Sequence, residues 1–250
     1  MFAPTLPQGA PDLMRASEFR HYLAGSDANG GGSGPEASAA RLTSLSPSLL
    51  MDLMRFERRG QKSELLEVLA ACLRHTQALA IHLQWGEQVL TLTVFPIDRL
   101  AHCQVPMERL LNSRLSEVAV LQVEPATLRA PGDKESSLVG EWSLYAPLAP
   151  VLWMMAMHGA RADLLPEIAG QAAYRVSPGV NLGGLSMTVP VANCVQRLRR
   201  QTCNLRQITV WPGIDRGCAT RVLNALYLQA GLIVSRTHPA ATNEGWFGYH

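Results

Sequence analysis

The chain has 250 residues, 22 Lys and Arg against 20 Asp and Glu, and a formal net charge of +2. With 47% hydrophobic and 17% charged residues, it holds enough apolar side chains to fill a core and too few charges for a wholly disordered chain. This excludes collagenous, coiled-coil and disulfide-dense scaffolds, and the length suits one large domain or two of roughly 100 residues each.

The opening residues lack the basic stretch, apolar core and small-residue cleavage site of a secretory signal. Residues 1–46 read as a flexible N-terminal segment. Within them, residues 12–23 have the spacing of a short helix, with Leu13, Met14, Phe19 and Leu23 near one face, and the Gly/Ser-rich run 25–38 has almost nothing to bury. The short helix is either a tethered docking peptide or a frayed terminus.

An α+β lobe is expected over residues 47–127. Ser46 and Pro47 open a helix whose stripe is Leu49, Leu50, Leu53, Met54 and Phe56. A second helix from Ser63 carries Leu65, Leu66, Val68, Leu69, Cys72 and Leu73, with Arg74 and His75 in its last turn. The period then changes to alternation over 78–83 and 89–95 around Trp85-Gly86-Glu87, a hairpin closed by Pro96. A short strand at 100–103, a helix after Pro106 and a strand at 118–123 complete the lobe.

The polar stretch 128–140 marks the boundary to a mainly helical lobe over residues 141–236. Helices are predicted at 148–158, 162–172, 191–203 and 217–229, with short strands at 208–211 and 232–235 and Gly231 in a C-cap position. The most apolar window, 146–160, carries two prolines and falls short of the roughly 18–20 residues of a membrane helix. It reads as a buried core helix, and no membrane partner is expected. The fold class is therefore α+β: a small antiparallel sheet with helices, followed by a mainly helical lobe ending in a winged-helix-like unit. Residues 237–250 form an aromatic tail in which Trp246, Phe247 and Tyr249 could anchor in a partner's pocket or on the chain's own surface.

The near-neutral total conceals an asymmetry. Between residues 190 and 236 lie Arg197, Arg199, Arg200, Arg206, Arg216, Arg221 and Arg236 against Asp215 alone, a net +6 that leaves −4 for the rest. Only Lys62 and Lys134 are lysines, a bias that either GC-rich codon usage or guanidinium recognition of phosphate and carboxylate would produce. The first six of those arginines, with Trp246, Phe247 and Tyr249, are the candidate interaction residues.

No catalytic, cofactor-binding or metal-binding residue is assigned. Cys72, Cys103, Cys194, Cys203 and Cys218 are odd in number and lack the paired spacing of zinc sites or disulfide frameworks, which suits a reduced, cytoplasmic setting. Gly30–Gly34 is followed by no lysine and is no P-loop, and Gly183-Gly184-Leu185-Ser186-Met187 lacks the second glycine of a serine elbow. Cys218, beside Arg216 near a helix N-terminus, is either a stabilised thiolate or a packing residue.

Leu65-Leu66-Glu67-Val68-Leu69, the hairpin at 78–95 and Asp98-Arg99-Leu100-Ala101-His102 resemble the amino-terminal domain of PatA-type bacterial regulatory proteins. Gly213-Ile214-Asp215-Arg216, the run 219–227 and Gly231-Leu232-Ile233 are similar to the closing helix and strand of that architecture, although Pro96-Ile97-Asp98 replaces the glycine step after the hairpin. The resemblance implies a non-enzymatic signalling module acting through protein contacts. The expected function is thus a bacterial cytoplasmic regulatory or adaptor protein acting through protein–protein contacts, with a protein partner, an acidic one among the options, and nucleic acid as the other open partner class. The alternatives are a DNA-binding transcriptional regulator that uses the basic C-terminal unit, and an enzyme with a site between the lobes.

Overall fold

The computed structural model of the chain describes residues 13–28, 46–57 and 64–241. Its first sheet grows from the hairpin. Strands β1 (Leu79–Trp85) and β2 (Gln88–Phe95) pair antiparallel, with Gly86 (φ 61) opening the two-residue turn between Trp85 and Gln88. β3 (Leu100–Cys103), β4 (Ala119–Pro125) and β5 (Tyr145–Pro147) extend it to five strands in the order β4-β1-β2-β3-β5, with neighbours antiparallel throughout. Alternation along β1 and β2 sends Leu79, Ile81, Leu83, Leu90, Leu92 and Val94 to one face, all 0% exposed.

That face joins a continuous apolar cluster with helices α2 (Pro47–Glu57), α3 (Leu65–His75) and α4 (Met107–Leu111). α5 (Leu148–His158) lies at the centre of the cluster, buried through Val151, Leu152, Trp153, Met155 and Ala156. An all-round apolar helix belongs in a core, so the window 146–160 is a core helix as expected. Among the described residues no helix is long and apolar enough to cross a membrane.

The opposite face of the sheet is also covered, and β2 is largely buried at both parities. Helix α1 (Ala16–Ala28) seats Ala16 and Phe19 on Val89, with Leu121 packed against them. Backbone bonds from Ala16 N–H to Glu87 O (2.8 Å) and from Val89 N–H to Met14 O (2.9 Å) fix its entry. The short N-terminal helix is thus docked on its own chain, not frayed, and it starts four residues later than the apolar spacing predicts.

At the other end of this face His102, 6% exposed, meets the Tyr145 ring edge-on at 4.7 Å. Burial pushes the His102 pKa below its usual value, against a smaller opposing effect of Glu141. The unfolded chain then binds a proton near pH 6.5 that the native state refuses, so native stability falls as pH drops below that value. We expect Tm to decline between pH 7.5 and 5.5, and His102→Gln to flatten the decline. Equal slopes in the two proteins would remove His102 as its origin.

The second half builds a three-stranded sheet, β7-β6-β8, from β6 (Ala173–Val176), β7 (Cys203–Asn204) and β8 (Leu232–Ser235). It carries helices α6 (Val189–Arg200), α7 (Leu205–Thr209) and α8 (Arg216–Leu228). The protein is α+β, with antiparallel sheets and several helices. Two predicted elements are corrected here. Residues 208–211 are not a strand: Ile208 ends up in α7, which starts from a capping box in which Asn204 Oδ1 accepts the Gln207 N–H (2.8 Å) and Gln207 Oε1 accepts the Asn204 N–H (3.0 Å). Residues 162–172 are not a helix but a series of turns, whose backbone groups bond to distant side chains.

The end of α8 places a residue with a cost. Ala230 (φ 53) holds the left-handed position, and bonds from Ala230 N–H to Tyr227 O and from Gly231 N–H to Leu226 O complete a Schellman cap. The glycine sits one residue beyond the position it would favour, because a Cβ on Gly231 would lie 2.7 Å from Val180 Cγ2. Ala230→Gly should therefore stabilise the fold by about 1 kcal/mol, net of the added unfolded-state freedom, and Gly231→Ala should destabilise it. Denaturant titration of the pair reads both signs.

Candidate functional site

Among the described residues no group of three His, Cys, Asp or Glu could hold a metal ion. All five cysteines are free. Burial raises each thiol pKa, to about 12 for Cys72 and Cys194 and about 11 for Cys103. Cys218 is also raised, by burial and then by Asp215, against a smaller opposing effect of Arg221. Its backbone N–H is capped by Asp215 Oδ1 at 2.6 Å. The thiolate reading of Cys218 is thus not supported: burial and Asp215 push the thiol up, which favours its protonated form.

The structure divides the arginines of residues 190–236 into two groups. Three have guanidinium groups bonded to backbone carbonyls. Arg199 Nη2 donates to Val180 O (3.1 Å), Arg221 Nη1 to Met157 O and Gly159 O (3.2 and 2.8 Å) at the C-terminus of α5, and Arg236 to the carbonyls of Glu167, Ala169 and Gln171. A planar fork reaches two carbonyls at once, which an ammonium does less well. Part of the preference for Arg over Lys is therefore architectural. Arg197, Arg200, Arg206 and Arg216 are exposed.

Arg197 and Arg200 come together in a groove. α6 buries Val191, Cys194, Val195 and Leu198 and turns Asn193, Gln196, Arg197 and Arg200 outward, at the three- and four-residue spacing of one helix face. Its three arginines sit in the last turn, where the helix dipole favours cations. Opposite lie Trp211, Pro212 and Ile214, on the turn between α7 and α8, and together the walls enclose about 520 Å³. The Arg197 guanidinium lies 5.4 Å from the centre of the Trp211 ring, a cation–π pair that holds both side chains at the groove wall.

The lining residue Pro190 is met by a close backbone approach. Gly213 (φ 74) packs so tightly on Pro190 that a Cβ there would lie 2.9 Å from the proline ring. Beside the groove, Val189 and Val210 are 75% and 77% exposed, in sequence next to the lining residues Pro190 and Trp211. Arginine and tryptophan are residue types enriched at protein–protein interfaces in general.

Arg206 and Arg216 do not line this groove, and Arg199 and Arg221 face the interior carbonyls described above. Trp246, Phe247 and Tyr249 lie outside the described residues. Sequence reasoning missed Trp211, assigning it to a strand. The available signal was Trp211-Pro212-Gly213, a bulky aromatic followed by two turn residues, directly after a basic helix. Comparison with protein-family models, with curated proteins and with solved structures gives no match to this chain.

Proposed function

We propose that this protein is a regulatory or adaptor protein that grips an acidic segment of a partner protein in the groove between α6 and Trp211. The observation that carries this reading is the pairing of Arg197 and Arg200 on one helix face with the indole of Trp211 across about 520 Å³. A carboxylate bridging the two guanidinium groups would make charge-assisted bonds, and an apolar neighbour would rest against Trp211, Pro212 and Val210. The +6 charge of residues 190–236 would steer an acidic partner toward this face. The resemblance to PatA-type domains implies the same mode of action, contact without chemistry.

The test is recovery of partners with the purified protein and with Arg197→Glu/Arg200→Glu, leaving Arg199 in place because it holds the Val180 carbonyl. At least a tenfold loss of recovery is expected, with unchanged circular dichroism, and Trp211→Ala should act in the same direction. Unaltered recovery would remove the groove from the proposal.

A DNA-binding reading draws on the exposed arginines and on the β7-β6-β8 sheet backed by three helices, which is reminiscent of a winged-helix unit. Against it, α8 is buried at Ala219, Thr220 and Val222–Leu226, leaving little polar face for a DNA groove, and a single strand, β8, follows it among the described residues. Binding to random-sequence duplex that falls steeply with salt and vanishes in the same double variant would favour this reading instead. No binding at low salt would end it.

A further inference from the structure

A second cavity, of about 530 Å³, opens where the C-termini of α3 and α8, the β2–β3 turn and the start of α5 converge. Its floor is apolar, with Leu73, Leu148, Leu152, Leu228 and Leu232. Its volume falls within the range of small-molecule sites. Three non-glycine residues among those described have φ in the left-handed region, Thr76 (50°), Arg99 (56°) and Ala230 (53°), and all three line this one cavity. Glycine would take each of those backbone positions without strain. Two of them close helices, Thr76 as the left-handed cap of α3 and Ala230 as that of α8, and the third, Arg99, lies on the turn between β2 and β3.

The charges at the cavity select the ligand. Arg74 is engaged by the carboxylates of Asp52 (2.8 Å) and Glu167, and Asp52 also meets His75 Nε2 (2.8 Å), so the Arg74 charge is already matched by partners behind the cavity lining. Arg99 is exposed, and its guanidinium meets no carboxylate among the described residues. Tyr227 lines the same wall beside Arg74, and burial, then Glu167, raises its pKa against smaller opposing effects of Arg74. One free guanidinium over an apolar floor, with the second already neutralised, complements a monoanion with an apolar body. A dianionic phosphate would leave its second charge without a free cation in the cavity lining.

We infer that this cavity is a binding site for a small amphipathic carboxylate, its head group on Arg99 and its apolar chain on the leucine floor. The inference is independent of the α6–Trp211 groove, which lies on other elements. Octanoate is the probe, with octylammonium, 1-octanol and octyl phosphate as comparators, followed by calorimetry and by thermal denaturation of the full chain. Octanoate should bind with a stoichiometry of one and raise Tm in proportion to occupancy. Octylammonium should not bind, and 1-octanol and octyl phosphate should bind more weakly than octanoate. Arg99→Gln keeps a non-glycine residue in the strained position and should weaken octanoate binding at least tenfold while leaving the Tm of the free protein in place. Leu152→Phe, which fills the floor, should weaken all comparators that bind. Equal binding of octanoate and octylammonium, unchanged affinity in Arg99→Gln, tighter binding of octyl phosphate, or no binding of octanoate at millimolar concentration would each overturn the assignment.

Discussion

Arg161→Met should destabilise the native state by about 3–5 kcal/mol, the cost of leaving a poorly solvated carboxylate without its partner. Arg161 is 12% exposed and follows the end of α5. Its Nη1 donates to Glu64 Oε2 (2.5 Å) and Glu67 Oε1 (2.7 Å) at the start of α3, while Nε and Nη2 hold the carbonyls of Asp163 and Leu164 (2.8 Å each). One guanidinium thus joins the N-terminal turn of α3 to the irregular segment after α5. Methionine preserves most of the aliphatic volume, so the loss isolates the polar contacts. Glu67, 13% exposed, would then face the cluster alone, and Glu67→Gln in the Arg161→Met background should recover part of the loss. Urea denaturation of the two single variants and the double measures the coupling. A loss below about 1 kcal/mol would place the cluster with ordinary solvated ion pairs.

The elements legible in the sequence are those whose information is local. The change from helical spacing over Leu65–His75 to alternation over Leu79–Phe95 is written in adjacent side chains, and the structure has a helix and a hairpin there. The same holds for α5, which is apolar all round. What could not be read depends on partners far along the chain. Residues 162–172 have acceptable helical spacing, yet the carbonyls of Asp163, Leu164, Glu167, Ile168, Ala169 and Gln171 accept bonds from Arg161, Tyr174, Asn224 and Arg236. Two of those four donor residues, Asn224 and Arg236, lie far along the chain, and no local pattern announces them. Residues 208–211 fail differently: Ile208, Thr209 and Val210 favour strands, but the Asn204–Gln207 capping box starts a helix that buries Leu205 and Ile208 three residues apart.

The arginines follow the same division. Arg197 and Arg200 sharing a face is a property of helix spacing, and it was readable. That Arg199, one residue away, turns to the Val180 carbonyl is a property of the loop it meets. A count of basic residues therefore overstates the exposed positive charge and hides a structural role, in which Arg161, Arg199, Arg221 and Arg236 bond backbone that regular structure leaves open.

Asn224→Leu should cost about 2–4 kcal/mol, because it keeps the volume and removes two buried hydrogen bonds at once. Asn224 is 0% exposed on α8; its Oδ1 accepts the Leu165 N–H at 2.9 Å and its Nδ2 donates to Asp163 O at 3.0 Å. These bonds satisfy a donor and an acceptor that a helix over 162–172 would have paired internally, so the side chain substitutes for the missing secondary structure. Hydrogen exchange separates this role from general packing: the Leu165 amide should lose protection while amides in the middle of α8 keep theirs until global unfolding. Asn224→Asp sharpens the test. An ionised carboxylate there would still accept from Leu165 but would face the Asp163 carbonyl with no proton, in a buried site that disfavours charge. Its folded-state pKa must then lie above the unfolded value near 3.9, so the native state binds the extra proton and the variant gains stability as pH falls. Its deficit against the parent protein should be smaller at pH 4.5 than at pH 7.5, since the protonated acid can donate to Asp163 O and accept from Leu165 as the amide does. A deficit that is the same at both pH values would mean that the bonds at 163 and 165 do not hold the segment in place.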